Sequence, residues 1–136
     1  MIRGARYVHL VLAWAFVIGL VVQVFFIGLG LFAGSQNMAL HVTFGWILHL
    51  VPVLILIVAA LARAGRRRIL QALALAVTVF MLPILPMLRS DLPAAAALHP
   101  VAALLAFWLA IVVARDAGTL MRSDGPGAEG RATAAA

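Results

Sequence analysis

Four long apolar runs joined by short polar turns constrain this chain more than anything else in it. The runs cover about residues 7–32, 39–62, 69–88 and 94–114, and none contains an acidic residue. A helix rising about 1.5 Å per residue crosses a hydrocarbon core about 30 Å thick in about 20 residues, so each run is long enough to span a membrane. In lipid every backbone polar group must be paired inside the protein, and the helix achieves this segment by segment. Connections this short force consecutive helices to be antiparallel neighbours. The expected fold is therefore all-α, an integral membrane up-down-up-down four-helix bundle over residues 1–122. Residues 123–136 are dominated by small and polar residues and are expected to form a disordered tail.

Composition supports the membrane assignment, because 66% of the 136 residues are hydrophobic and only 10% are charged. The net charge of +6 would point to nucleic acid in a soluble domain. Here the arginines flank apolar runs and act as topology signals, so no nucleic-acid partner is expected. Arg3, Arg6, Arg63, Arg66, Arg67, Arg68, Arg115, Arg122 and Arg131 fall on one side of a four-span arrangement, and Arg89 alone falls on the other. The positive-inside rule then places both termini in the cytoplasm of a multi-pass cell-membrane protein. The loop RAGRRR at Arg63–Arg68 is expected to lie against the lipid surface. Asn37 is expected to cap the second helix, Pro52 to kink it, and Pro83 and Pro86 to interrupt the end of the third.

The absence of cysteine excludes disulfides, thiolate metal sites and covalently attached c-type haem, leaving histidine as the strong transition-metal ligand. Spans without carboxylates disfavour ion-coupled transport. No nucleotide-binding loop, Ser-His-Asp set, H-E-x-x-H or carboxylate pair is present, so hydrolysis and phosphoryl transfer lack apparatus.

The histidines are the remaining candidates. His41 lies about 6 Å and His99 about 9 Å inside the outer ends of their helices, at nearly one level. His49 is about 12 Å deeper than His41, and His9 lies near the opposite face. A haem iron with two axial imidazoles needs one His on each of two helices at the same level, which His41 and His99 satisfy. Gly45 lies one turn below His41, and Ala103, Ala106 and Ala110 lie below His99. Small residues there would let a flat macrocycle approach the backbone, with Phe44, Trp46, Phe107 and Trp108 as candidate borders. Arg89 is the basic group placed to pair with a propionate.

The stretches LHVTFGWILHLVPVLILIVAAL (40–61), an arginine loop and ALHPVAALLAFWLAI (97–111) resemble an uncharacterised bacterial family of small four-span membrane proteins. They are also distantly similar to haem b four-helix membrane bundles, including the halves of haem A synthase. The resemblance covers Arg6 to Arg122 and rests on H-x3-G-x3-H and a later L-H-P. It implies one haem b, with His41 and His99 as axial ligands and His49 as an alternative ligand or a residue lining a quinone or haem edge. A second haem would need a second level pair, which His9 and His49 do not form.

The expected function is thus that of a small cytochrome-b-like protein in electron transfer or haem handling, with a redox partner or quinone, more than that of an enzyme with its own turnover. The competing expectation is a non-catalytic accessory or scaffolding subunit of a larger membrane complex or a homo-oligomer, in which the histidines only hydrogen-bond neighbouring helices. For His49, which lacks a level partner, that plainer role is the stronger one. His9 is expected at the membrane interface, reaching headgroups. Gln23 and Thr78 are expected to bond between helices, and Gly28, Gly30 and Gly34 to form close-packing surfaces.

Overall fold

A computed structural model describes residues 1–122, whose regular structure is entirely helical. The helices are α1 (Ile2–Phe32), α2 (Met38–Leu61), α3 (Arg66–Met81), the short α4 (Ile84–Met87) and α5 (Pro93–Ala96), and α6 (His99–Arg122). With their short extensions they form four stretches long and apolar enough to cross a membrane, Ile2–Phe32, Ser35–Leu61, Arg66–Met87 and Pro93–Arg122. The chain is accordingly read as a multi-pass membrane protein in a lipid bilayer. The expected tail, residues 123–136, lies outside the described residues.

Helix α1 packs against α2 and α6, and α3 packs against the same two, closing a ring of four. Gly30 meets Met38, Gln23 meets His41 and Gly19 meets Leu48, so α1 and α2 run in opposite directions. The interior is built from a few large side chains, Phe16, Ile55, Leu75 and Val79, among many alanines. Ala59, Ala72, Ala106, Ala110, Ala114 and Ala117 are all essentially inaccessible. Lipid tails are as apolar as leucine, so association of these helices depends on close van der Waals contact, and small residues permit it. Every span exposes large apolar side chains, drawn from Val, Leu, Ile, Phe, Met and Trp, as contact with acyl chains requires.

The ends of the helices differ from the sequence expectations in physically informative ways. Asn37 does not cap α2, since its side-chain amide donates back to the Ala33 carbonyl at the end of α1, 3.2 Å away. Gly34, at φ +114°, turns the chain between the two helices in a conformation that a Cβ would oppose. Helix α2 continues through Pro52 as one element. Helix α3 begins at Arg66 and stops at Met81, because Pro83 cannot donate to the Val79 carbonyl and Leu82 N–H bonds it instead at 3.2 Å. Thr78 donates to Ala74 one turn back in its own helix and makes no interhelical bond. Gly30 packs closely on Met38, whereas a Cβ at Gly28 would meet nothing within 4 Å.

The arginine loop is a worked joint as well as a topology signal. Helix α2 ends with Ala64 N–H bonding Ala59 O and Arg63 N–H bonding Ala60 O, the Schellman pattern, which places Arg63 in the left-handed region at φ 49°. Arg6 of α1 donates to Ala62 O at 3.2 Å, and Arg68 donates to Ala64 O, Asp116 O and the Thr119 hydroxyl. Arg67 pairs with Asp116 at 2.8 Å. These bonds carry α6 past Ala114, where the apolar run ends, to Arg122.

Two outcomes follow for stability. Replacing Ala110 by Leu forces the helices apart and costs about 1–3 kcal/mol, read by SDS titration of the detergent-solubilised protein. Arg63→Gly relieves the left-handed conformation and raises stability by about 1 kcal/mol in the same assay.

Candidate functional site

The structure brings His41 of α2 and His99 of α6 together. Their ring centroids lie 6.4 Å apart with the planes inclined at 79°. Both rings are partly buried, and each is held by a backbone carbonyl. His41 Nδ1–H donates to Gln23 O of α1 at 3.3 Å, and His99 Nδ1–H donates to Leu82 O at 2.8 Å. A carbonyl oxygen can only accept, so in a neutral imidazole the proton sits on Nδ1 and the lone pair on Nε2.

The Leu82 carbonyl is available for a local reason. In a continuing helix Leu82 O would receive the N–H of residue 86, but that residue is Pro86, which has none. The proline that breaks the third span thus supplies the acceptor that orients His99. On the other side, Gln23 and His41 exchange bonds: the Gln23 side-chain amide donates to His41 O at 2.7 Å while the His41 ring donates to Gln23 O. This pair fixes α1 to α2 and the imidazole to both. Phe26, one turn after Gln23 in α1, and Phe44, one turn after His41 in α2, stack edge to face at 5.4 Å.

Gly45 lies beside this pair, and a Cβ there would stand 2.7 Å from the Gln23 amide nitrogen. Its small size therefore makes room for Gln23. Ala103 is partly buried against the core, and Phe107 likewise. Trp46 and Trp108 are exposed on the outer surface. Arg89 is exposed after α4, and its guanidinium has no hydrogen-bond or ion-pair partner among the described residues.

His49 sits apart from the level pair. Its Nδ1–H donates to Gly45 O of its own helix at 2.7 Å, and its ring lies 5.5 Å from Trp46 and 6.0 Å from Phe80 of α3. Its Nε2 is buried without a partner among the described residues. His9 departs from the interfacial role expected of it. It is only 1% exposed, inside the bundle, with neither ring nitrogen bonded among the described residues. Its position on α1, one turn inside Arg6, made it look peripheral, but α1 begins at Ile2 and carries His9 inward.

The donors suit some metals and not others. Among the described residues no group of three or more His, Asp or Glu side chains could hold a metal ion. A bare zinc or copper ion, which draws three or four ligands from protein, has no such set here. His41 and His99 together could hold a metal that supplies its remaining ligands itself.

Residues 23–87 match the model of a family of unknown function, DUF6220. The match is a little under half of the chain and runs from Gln23 through α2 and α3 to Met87. It thus includes His41, His49, Pro86 and the Leu82 carbonyl, and stops before His99. No curated protein and no solved structure matches the chain.

Gln23 is the residue on which the His41 arrangement can be tested most directly. Gln23→Leu removes the bond to His41 O, with an expected loss of about 1 kcal/mol in SDS titration. Gln23→Glu retains an acceptor but not the donor and is not expected to restore it.

Proposed function

We propose that this protein binds one haem b between α2 and α6, with His41 and His99 as its axial ligands, and serves in electron transfer or haem handling. The observation that carries the reading is the pairing of two imidazoles, 6.4 Å apart, each with Nδ1–H held by a backbone carbonyl. Metal-bound histidines typically have their second ring nitrogen fixed in this way, which sets tautomer and orientation and raises the basicity of the ligating nitrogen. Two imidazoles with no third ligand among the described residues suit a metal that would bring its remaining ligands with it, as haem iron would.

The bound group would supply one-electron exchange at its iron. The chain's own residues have other tasks. Gln23 and Leu82 hold the rings, the surrounding apolar helices exclude water, and Arg89 offers an unpaired guanidinium to a carboxylate near the His99 end. If both imidazoles held the iron, no ligand position would be left for oxygen, which would favour electron transfer over oxygen activation. His49, two turns along α2 from His41, has an acceptor nitrogen that would serve as an alternative ligand or line a quinone or haem edge.

The proposed setting is an up-down-up-down bundle in the cell membrane with both termini cytoplasmic. The distribution of arginines supports it, with Arg6, Arg63, Arg67 and Arg68 gathered at the α2–α3 joint and Arg89 following α4 at the opposite end.

The test is an absorption spectrum of the detergent-purified protein, oxidised and then reduced, after expression with ample haem. A sharp reduced α-band is expected. His41→Ala and His99→Ala each abolish haem retention, while His9→Ala retains it. Haem retained in both ligand variants, or no haem absorbance where a control cytochrome is loaded, overturns the assignment and favours an accessory subunit.

A further inference from the structure

The two arginines near the end of α6 take no part in the joint that Arg6, Arg67 and Arg68 make. Arg115 and Arg122 are exposed and have no hydrogen-bond or ion-pair partner among the described residues. Both line one cavity of about 330 Å³, together with Ala114, Gly118 and Thr119 of α6 and Trp14 of α1. Residues 115, 118, 119 and 122 follow the spacing of a single helix face. Arg122 folds back along that face, its Nη1 lying 3.6 Å from where a Cβ on Gly118 would be. The guanidinium therefore leans toward Arg115.

We infer that this cavity is a binding site for the phosphate headgroup of an anionic phospholipid. Two unpaired guanidiniums on one face present planar, charge-assisted donors suited to a phosphate. The nearest carboxylate on α6, Asp116, is already paired with Arg67, so the cavity keeps its positive charge. The Thr119 hydroxyl is also engaged, donating to Asp116 O and accepting from Arg68. The negative end of the α6 dipole accounts for an arginine at 122, in the last turn, but not for one at 115 two turns earlier.

The surroundings select a lipid over free phosphate. Trp14 is 43% exposed at the cavity wall, an amphipathic ring of the kind that marks the headgroup level. From that level the same face of α1 continues with exposed Ile18 and Val21, and that of α6 with exposed Trp108 and Leu104. An acyl chain attached to the phosphate would run down this apolar track. Basic pockets between membrane helices are recurrent sites for anionic headgroups. This inference stands independently of haem binding.

Trp46→Phe and Trp108→Phe leave Trp14 as the sole indole of the full-length protein, making it a local reporter. In detergent micelles, brominated phosphatidylglycerol is expected to quench Trp14 at a mole fraction about tenfold lower than brominated phosphatidylcholine. Arg115→Gln with Arg122→Gln removes that preference, and each single variant lowers it in part. Arg66→Gln, an exposed arginine at the α2–α3 joint outside the cavity, leaves it intact. Circular dichroism confirms folding of each variant. Equal quenching by both lipids, or an equal loss in Arg66→Gln, overturns the site. Reversal of the quenching by millimolar inorganic phosphate overturns the lipid assignment in favour of a free anion.

Discussion

The structure depends on a single requirement of the bilayer: a backbone carbonyl that loses its helical partner must find another inside the protein. Most of the side-chain hydrogen bonds run to backbone carbonyls, and several of these meet that requirement. Arg6 reaches Ala62 O, Arg68 reaches Ala64 O, Asn37 and Gln36 reach Ala33 O, and His99 reaches Leu82 O. Polar side chains in this protein seldom bond one another. They complete helix ends and joints, and through those bonds they fix the relation of one helix to the next.

That requirement divides the molecule into two ends of different chemistry. At one end the arginines stitch α1, α3 and α6 to the loop after α2. At the other, imidazoles do the equivalent work, with His41 bonded to α1 and His99 to the break after α3. The difference matters because an arginine bonded to a carbonyl remains a cation, whereas an imidazole bonded through Nδ1 keeps a lone pair on its other nitrogen. The same structural task leaves one end positively charged and the other with imidazole lone pairs. The alanine-rich middle, packed tightly around Phe16, Ile55 and Leu75, separates the two.

Much of this organisation was legible in the sequence. Run length marked the four spans, and counting residues inward from the turns placed His41 and His99 at one level, where the structure brings their rings together. The misplacements have a common cause, which is that a linear reading sees where apolar character stops and not what pairs with the charges beyond. Helix α6 continues through Arg115 and Asp116 because Asp116 meets Arg67 and Arg68. Arg63 adopts a left-handed conformation that its side chain does not announce. His9 looked interfacial beside Tyr7 and Arg6, yet the helix rotates it into the interior. At Gly45, offered by the sequence as clearance for a cofactor, the structure adds a neighbour that the sequence does not announce, the Gln23 amide.

Pro86 has a significance beyond the helix it interrupts. Its side chain carries no charge and no metal-ligating atom. Its missing hydrogen leaves the Leu82 oxygen in need of a donor, and that need determines which nitrogen of a distant imidazole carries a proton. Chemistry at this position is thus written as a subtraction, and a search for functional groups passes over it. If the α3–α4 break were healed into one straight helix, every histidine would still be present, but the instruction that sets the protonation of one of them would be gone.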